Sequence, residues 1–130
     1  MKKVLLVIGI VLLFADQGFA DSKSWLLVGV NTTELTDAAP TYTEFVDTRN
    51  IVDVFVDTVI DKGATVQIVP VLSSTDDTYL GEAPVATTIA DGGGTDRTLY
   101  SRIMAPRAKI IITKTEAGTT SGFTVSIRGN

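Results

Sequence analysis

The side chains here best suited to chemistry are carboxylates. Asp76 and Asp77 share one polar turn, and Asp91 and Asp96 bracket Gly92-Gly93-Gly94 in another. Calcium takes six to eight oxygens from carboxylates and carbonyls, and a glycine-rich acidic loop can wrap its backbone around the ion. These four aspartates are therefore the candidate calcium ligands. Neither loop has EF-hand spacing, and Asp and Gly are also ordinary turn residues, so the expectation is no resident metal and no cofactor. Asp53, Asp57 and Asp61 fall on one face of a strand, where same-face neighbours repeat about every 7 Å. Paired carboxylates at a suitable separation hydrolyse glycosides, but a solvated outer face explains this row without catalysis. Trp25, Tyr42, Tyr79 and Tyr100 offer rings on which a sugar could stack, against the ordinary alternative of core packing.

The residue types that are missing exclude more than the carboxylates suggest. The 130 residues contain no His and no Cys, which removes Ser-His-Asp and Cys-His catalysis, ordinary zinc sites and disulfides. The expectation is a protein that is not an enzyme. A net charge of −4 and a calculated pI near 4.6 argue against nucleic acid as a partner, because affinity there comes largely from Lys and Arg neutralising phosphates.

The elements that must position any site begin after residue 20. Lys2 and Lys3, the apolar run Val4 to Phe14 and the small-residue exit Gly18-Phe19-Ala20 are the three parts of a signal peptide. The apolar run is too short to cross a bilayer as a helix, which takes roughly 20 residues. Cleavage after Ala20 leaves nine basic and fourteen acidic side chains, net −5. The expected location is outside a prokaryotic cell or on its surface, with the membrane met only during export.

From Asp21 onward the apolar residues alternate, rich in Val, Ile, Thr, Phe and Tyr, between Gly, Pro, Asp and Ser clusters. That is the pattern of short strands. Strands are expected at Trp25–Val30, Tyr42–Asp47, Ile51–Ile60, Thr65–Ser73, Thr78–Gly81, Glu82–Ile89 with an interruption at Pro84, Thr98–Met104, Arg107–Thr115 and Phe123–Arg128. Val52, Val54, Val56 and Ile60 should share one face, and Phe123, Val125 and Ile127 should point inward. Lys62-Gly63 reads as a hairpin turn, Pro70 as the mark of an edge strand or bulge, and Asp91–Asp96 as the loosest loop. About seven to nine such strands predict one all-β domain, an antiparallel β-sandwich of immunoglobulin-like or jelly-roll-like type. The organisation is then signal peptide 1–20, apolar strand and polar hinge 21–40, sandwich 41–130.

The segment Trp25, Leu26, Leu27, Val28 and Val30 is apolar on both faces and must be covered on both. It can fold back into its own sheet or complete a neighbour's, with backbone hydrogen bonds for affinity and alternate side chains for register. The polar stretch Asn31–Pro40 would be the hinge, and a donor surface distinct from the acceptor gives an open head-to-tail chain. Signal peptide, apolar strand, polar spacer and Cys-free sandwich together resemble secreted filament subunits of the donor-strand type. The ending Ser126-Ile127-Arg128-Gly129-Asn130 departs from chaperone–usher pilins. From Phe45 onward, the successions Val46-Asp47-Thr48-Arg49, Tyr100-Ser101-Arg102-Ile103 and Arg107–Ile112 are similar to β-sandwich structural proteins of phage particles. Both resemblances imply a self-associating structural protein, whose principal partner is another copy of itself. An extracellular carbohydrate-binding or adhesion module that recognises surface glycans is the alternative, and a phage virion decoration or spike subunit is the third reading.

Overall fold

The computed structural model describes residues 34–73, 79 and 81–130, together with the backbone of 25–31. The expected signal peptide, Asp76, Asp77 and the expected strand at Thr78–Gly81 (apart from Tyr79 and Gly81) lie outside the described residues. Among the described residues eight strands follow one another: β1 Trp25–Asn31, β2 Thr41–Asp47, β3 Val54–Ile60, β4 Ala64–Val71, β5 Val85–Ile89, β6 Gly94–Tyr100, β7 Arg107–Lys114 and β8 Thr124–Gly129.

They form two four-stranded sheets, β1-β8-β3-β6 and β2-β7-β4-β5, and every pairing is antiparallel. Of the consecutive strands only β4 and β5 are neighbours in one sheet; every other connection crosses from one sheet to the other. This is the order of an eight-stranded jelly roll built from two Greek keys. The expected β-sandwich is thus observed, with jelly-roll rather than immunoglobulin connectivity.

Period-two alternation makes the core. Val54 and Val56 of β3, Val66 and Ile68 of β4, Ile110 and Ile112 of β7, and Val125 and Ile127 of β8 are all buried at 1% exposure or less. Each such side chain contributes roughly 1.5–3 kcal/mol on leaving water. Phe123 closes the core from beyond the start of β8 and meets Tyr42 edge-on, with ring centroids 5.9 Å apart.

Several local expectations are corrected. Lys62-Gly63 turns a corner between the two sheets, because β3 and β4 do not pair. Val52 lies before β3 and is exposed, and the inward position between Val56 and Ile60 belongs to Thr58. Glu82–Pro84 precede β5, and Ser101–Met104 follow β6 as a loop. The stretch around Asp91–Asp96 is no loose loop. Gly92 and Gly93 take φ of 90° and 78°, a region open to glycine without steric cost, so β6 begins already at Gly94. A side chain on Gly93 would run into the backbone of Ile60 and Asp61. Pro70 is the exception: it sits in β4 beyond its pairing with β5, so the strand is locally an edge there, as expected. Its carbonyl accepts the Tyr79 N–H, away from β7, and the β4–β5 ladder has already stopped at Ile68. Its nitrogen faces the same way as its carbonyl, so no ladder bond is lost.

Candidate functional site

The carboxylates singled out in the sequence do not converge. Among the described residues no three acidic side chains are grouped to hold a metal ion. Asp53 lies before β3, where it accepts the Arg102 N–H (2.9 Å) and the Ser101 hydroxyl (3.2 Å), holding Arg102 at a φ of 58°. Asp57 pairs with Arg97 across β3 and β6, and that guanidinium also lies over the Phe55 ring. Asp61 sits in the corner after β3 and accepts the Ser121 hydroxyl at 2.6 Å and its N–H at 3.1 Å, which pull its carboxyl below the usual value. The supposed row is three separate structural anchors. Asp91 lies against Gly63, whereas Asp96 turns inward to the hydroxyls of Thr87 and Thr98, so the glycine turn between them is not an ion loop.

The end of the sandwich that carries the β1–β2, β3–β4, β5–β6 and β7–β8 connections is clamped by residues the sequence reading passed over. One oxygen of Glu116 accepts the N–H groups of both Gly92 and Gly63 at 2.8 Å, tying three connections together. Those two donors, with Lys62 at 3.8 Å, hold its carboxyl low. Lys114 ends β7 with its side chain only 3% exposed, and its ammonium donates to Asp37 Oδ1 and to the Glu116 carbonyl, each at 2.6 Å. That bond to Lys114, together with the Gly118 N–H, depresses the Asp37 carboxyl. Leu35 is buried at 1% exposure. Its N–H donates to Thr120 Oγ1 and its carbonyl accepts the Thr120 N–H, both at 2.9 Å. The polar hinge expected over Asn31–Pro40 is therefore anchored from Leu35 onward. One signal was legible: Lys114 continues the inward parity of Ala108, Ile110 and Ile112, and a buried cation requires a partner.

At the opposite end Glu82 accepts the N–H groups of Met104 and Ala105 at 2.7 and 2.9 Å, while the Met104 side chain is 76% exposed. An open depression of about 680 Å³ there is lined by Asp47, Arg49, Asn50 and Ile51. Arg49 grips Asp47 through its guanidinium and its own N–H, pushing that carboxyl down to about 2. Tyr42 and Tyr100 are buried, the Tyr100 hydroxyl donating to the Ala83 carbonyl, and Tyr79 packs half-buried against the core. Burial also raises the pKa of the Tyr100 phenol. These three tyrosines pack inward rather than forming an exposed platform.

The remaining candidate is β1, an edge strand whose one partner among the described residues is β8. Trp25 pairs with Gly129, Leu26 with Arg128, Val28 with Ile127 and Asn31 with Val125, with register shifts between Leu26 and Val28 and between Val28 and Asn31. Each shift inserts one extra residue on β1, so Leu26, Val28 and Val30 do not keep the unbroken period-two ladder expected of them. The side chains of Trp25, Leu26, Leu27, Val28 and Val30 lie outside the described residues. No protein-family model matches the chain, and no curated protein matches it.

Proposed function

We propose that this chain is a secreted, non-enzymatic structural subunit that self-assembles head to tail into an extracellular filament or surface assembly by exchanging β1 between neighbours. One observation carries the reading. Among the described residues the N-terminal strand is an edge strand bonded only to β8, and the chain is clamped again at Leu35. Moving β1 leaves the other seven strands paired as they are and opens the outer edge of β8, beside Val125 and Ile127. A second copy of β1 satisfies that edge with the same backbone bonds. Because Leu35 to Pro40 is anchored, the pivot must lie between Asn31 and Leu35. Four residues reach at most about 14 Å, so subunits exchanging this strand pack closely.

The chain has no cysteine, which makes the test clean. Leu26→Cys with Arg128→Cys places two thiols on register partners; such residues lie about 4.5–5.5 Å apart, within disulfide reach. Exchange predicts a ladder of covalent multimers after oxidation of the assembled protein, and deletion of 21–31 leaves monomers. Assemblies whose cross-links all lie within single chains would refute the mechanism. The jelly-roll order, used also by viral capsid domains, supports the phage virion subunit as a second reading. Fold analogy alone does not assign function, and that reading predicts a closed ring in place of an open ladder.

A further inference from the structure

Three oxygen-bearing side chains meet between the sheets, where β5 and β6 face each other, and a fourth, Thr58, stands beside them in register. Thr58 of β3 and Asp96 of β6 are register partners, and Thr98 is the next inward position of β6. Thr87 of β5, the partner of buried Val66, approaches from the other sheet. Thr87 Oγ1 and Thr98 Oγ1 lie 2.7 and 2.9 Å from the same oxygen of Asp96, Oδ2, and 2.7 Å from each other. Three short oxygen–oxygen contacts need three protons, and two hydroxyls with one carboxylate carry two. With the carboxyl ionised, one pair is therefore left without a proton between its oxygens, a conflict that either one added proton or a cation placed there relieves.

A second observation points the same way. Thr58 is 0% exposed and, among the described residues, its hydroxyl has no hydrogen-bond partner. Buried hydroxyls are nearly always satisfied, and an orphan calls for an explanation such as a bound water or ion. It is the register partner of the one carboxylate in the cluster.

We propose that Thr58, Thr87, Asp96 and Thr98 form a binding site for a hard cation, calcium or sodium. Asp96 Oδ2 and the Thr87 and Thr98 hydroxyl oxygens supply one triangular face of the shell, and Thr58 supplies a ligand from the inner side. On binding, the hydroxyls turn lone pairs to the ion, which removes the unshared-proton conflict and gives the Thr58 oxygen a partner. Asp91 takes no part. A single carboxylate makes the site weak, at best in the ~0.1–1 mM range of extracellular calcium modules.

The test is thermal melting and titration calorimetry of the full chain after chelation and dialysis. CaCl₂ is titrated in one arm, and NaCl against choline chloride at constant ionic strength in the other, so the two ions are told apart. A saturable rise in Tm is expected with one of them. It should be abolished in Asp96→Asn and retained in Asp91→Asn. Thr58→Val keeps the side-chain volume, so it should raise the ion-free Tm while weakening the ion response several-fold. Should Asp96→Asn fail to fold, the Thr58→Val comparison and wild-type calorimetry still decide. The absence of a saturable response to either salt, a full response in Asp96→Asn, or a Thr58→Val protein with its response intact would each overturn the proposal. The last result is the one a bound water would give.

Discussion

Replacing Lys114 by Met removes the buried cation that joins the β1–β2 connection to the β7–β8 loop while keeping most of the aliphatic stem. Two charge-assisted bonds are lost, to Asp37 Oδ1 and to the Glu116 carbonyl, both at 2.6 Å. Removing one partner of a fully buried ion pair costs about 3–5 kcal/mol because an uncompensated charge stays inside. Here the charge left behind is on Asp37, whose side chain is 67% exposed and is rehydrated, and the desolvation of the ammonium is recovered. The net loss should therefore fall below that range, at roughly 1.5–3 kcal/mol, the size of one charged hydrogen bond. For a chain of this length that is a drop in Tm of roughly 5–12 °C. The assay is urea unfolding of the wild type, Lys114→Met, Asp37→Asn and the double variant. The two single losses should not add, because both remove the same contact. A Lys114→Met protein within about 0.5 kcal/mol of wild type, the scatter of ordinary surface substitutions, or strict additivity in the cycle, would refute the clamp.

Acid should loosen both ends of the sandwich. Asp37, Asp47, Asp61 and Glu116 all titrate below their ordinary values. Their stabilisation is thus complete above the unfolded values near 4 and lost as pH falls through the lower folded ones, down to about 2 for Asp47. With no His in the chain, Tm should be flat from pH 8 to 5 and fall below about 4, which a melting series across pH 8 to 2 checks. Gly93→Ala should destabilise by more than about 1 kcal/mol, since it places a side chain at a φ of 78° against the Ile60 backbone. Gly94→Ala, with open space around its would-be side chain, should be near neutral in the same urea titration. Ile110→Ala empties a fully buried position of β7 and should cost about 2–5 kcal/mol, read as a shift in the urea midpoint at unchanged slope.

Alternation is a local property, and what it governs was legible. The all-β class, the inward run Phe123, Val125 and Ile127, and the Arg107–Thr115 strand follow from neighbours two residues apart, which any single stretch of sequence displays. Pairing is not local. The expected hairpin at Lys62-Gly63 became a corner between sheets because β3 finds its partners in β6 and β8, and nothing in residues 51–73 names those strands. Carboxylate roles failed for the same reason. Spacing placed Asp53, Asp57 and Asp61 in one row and Asp91 with Asp96 in one loop. Asp53, Asp57 and Asp61 instead take the donors that distant segments bring to them, 48 positions away for Asp53 and Ser101, 40 for Asp57 and Arg97, and 60 for Asp61 and Ser121. Glu116, Lys114 and Leu35 drew no attention because their partners lie 53, 77 and 85 positions off. Composition and period determined that this chain makes a sandwich without cysteine or histidine chemistry. Only the tertiary fold decided which polar groups meet inside it, because a buried hydroxyl or carboxylate is answered by whatever the other sheet places opposite.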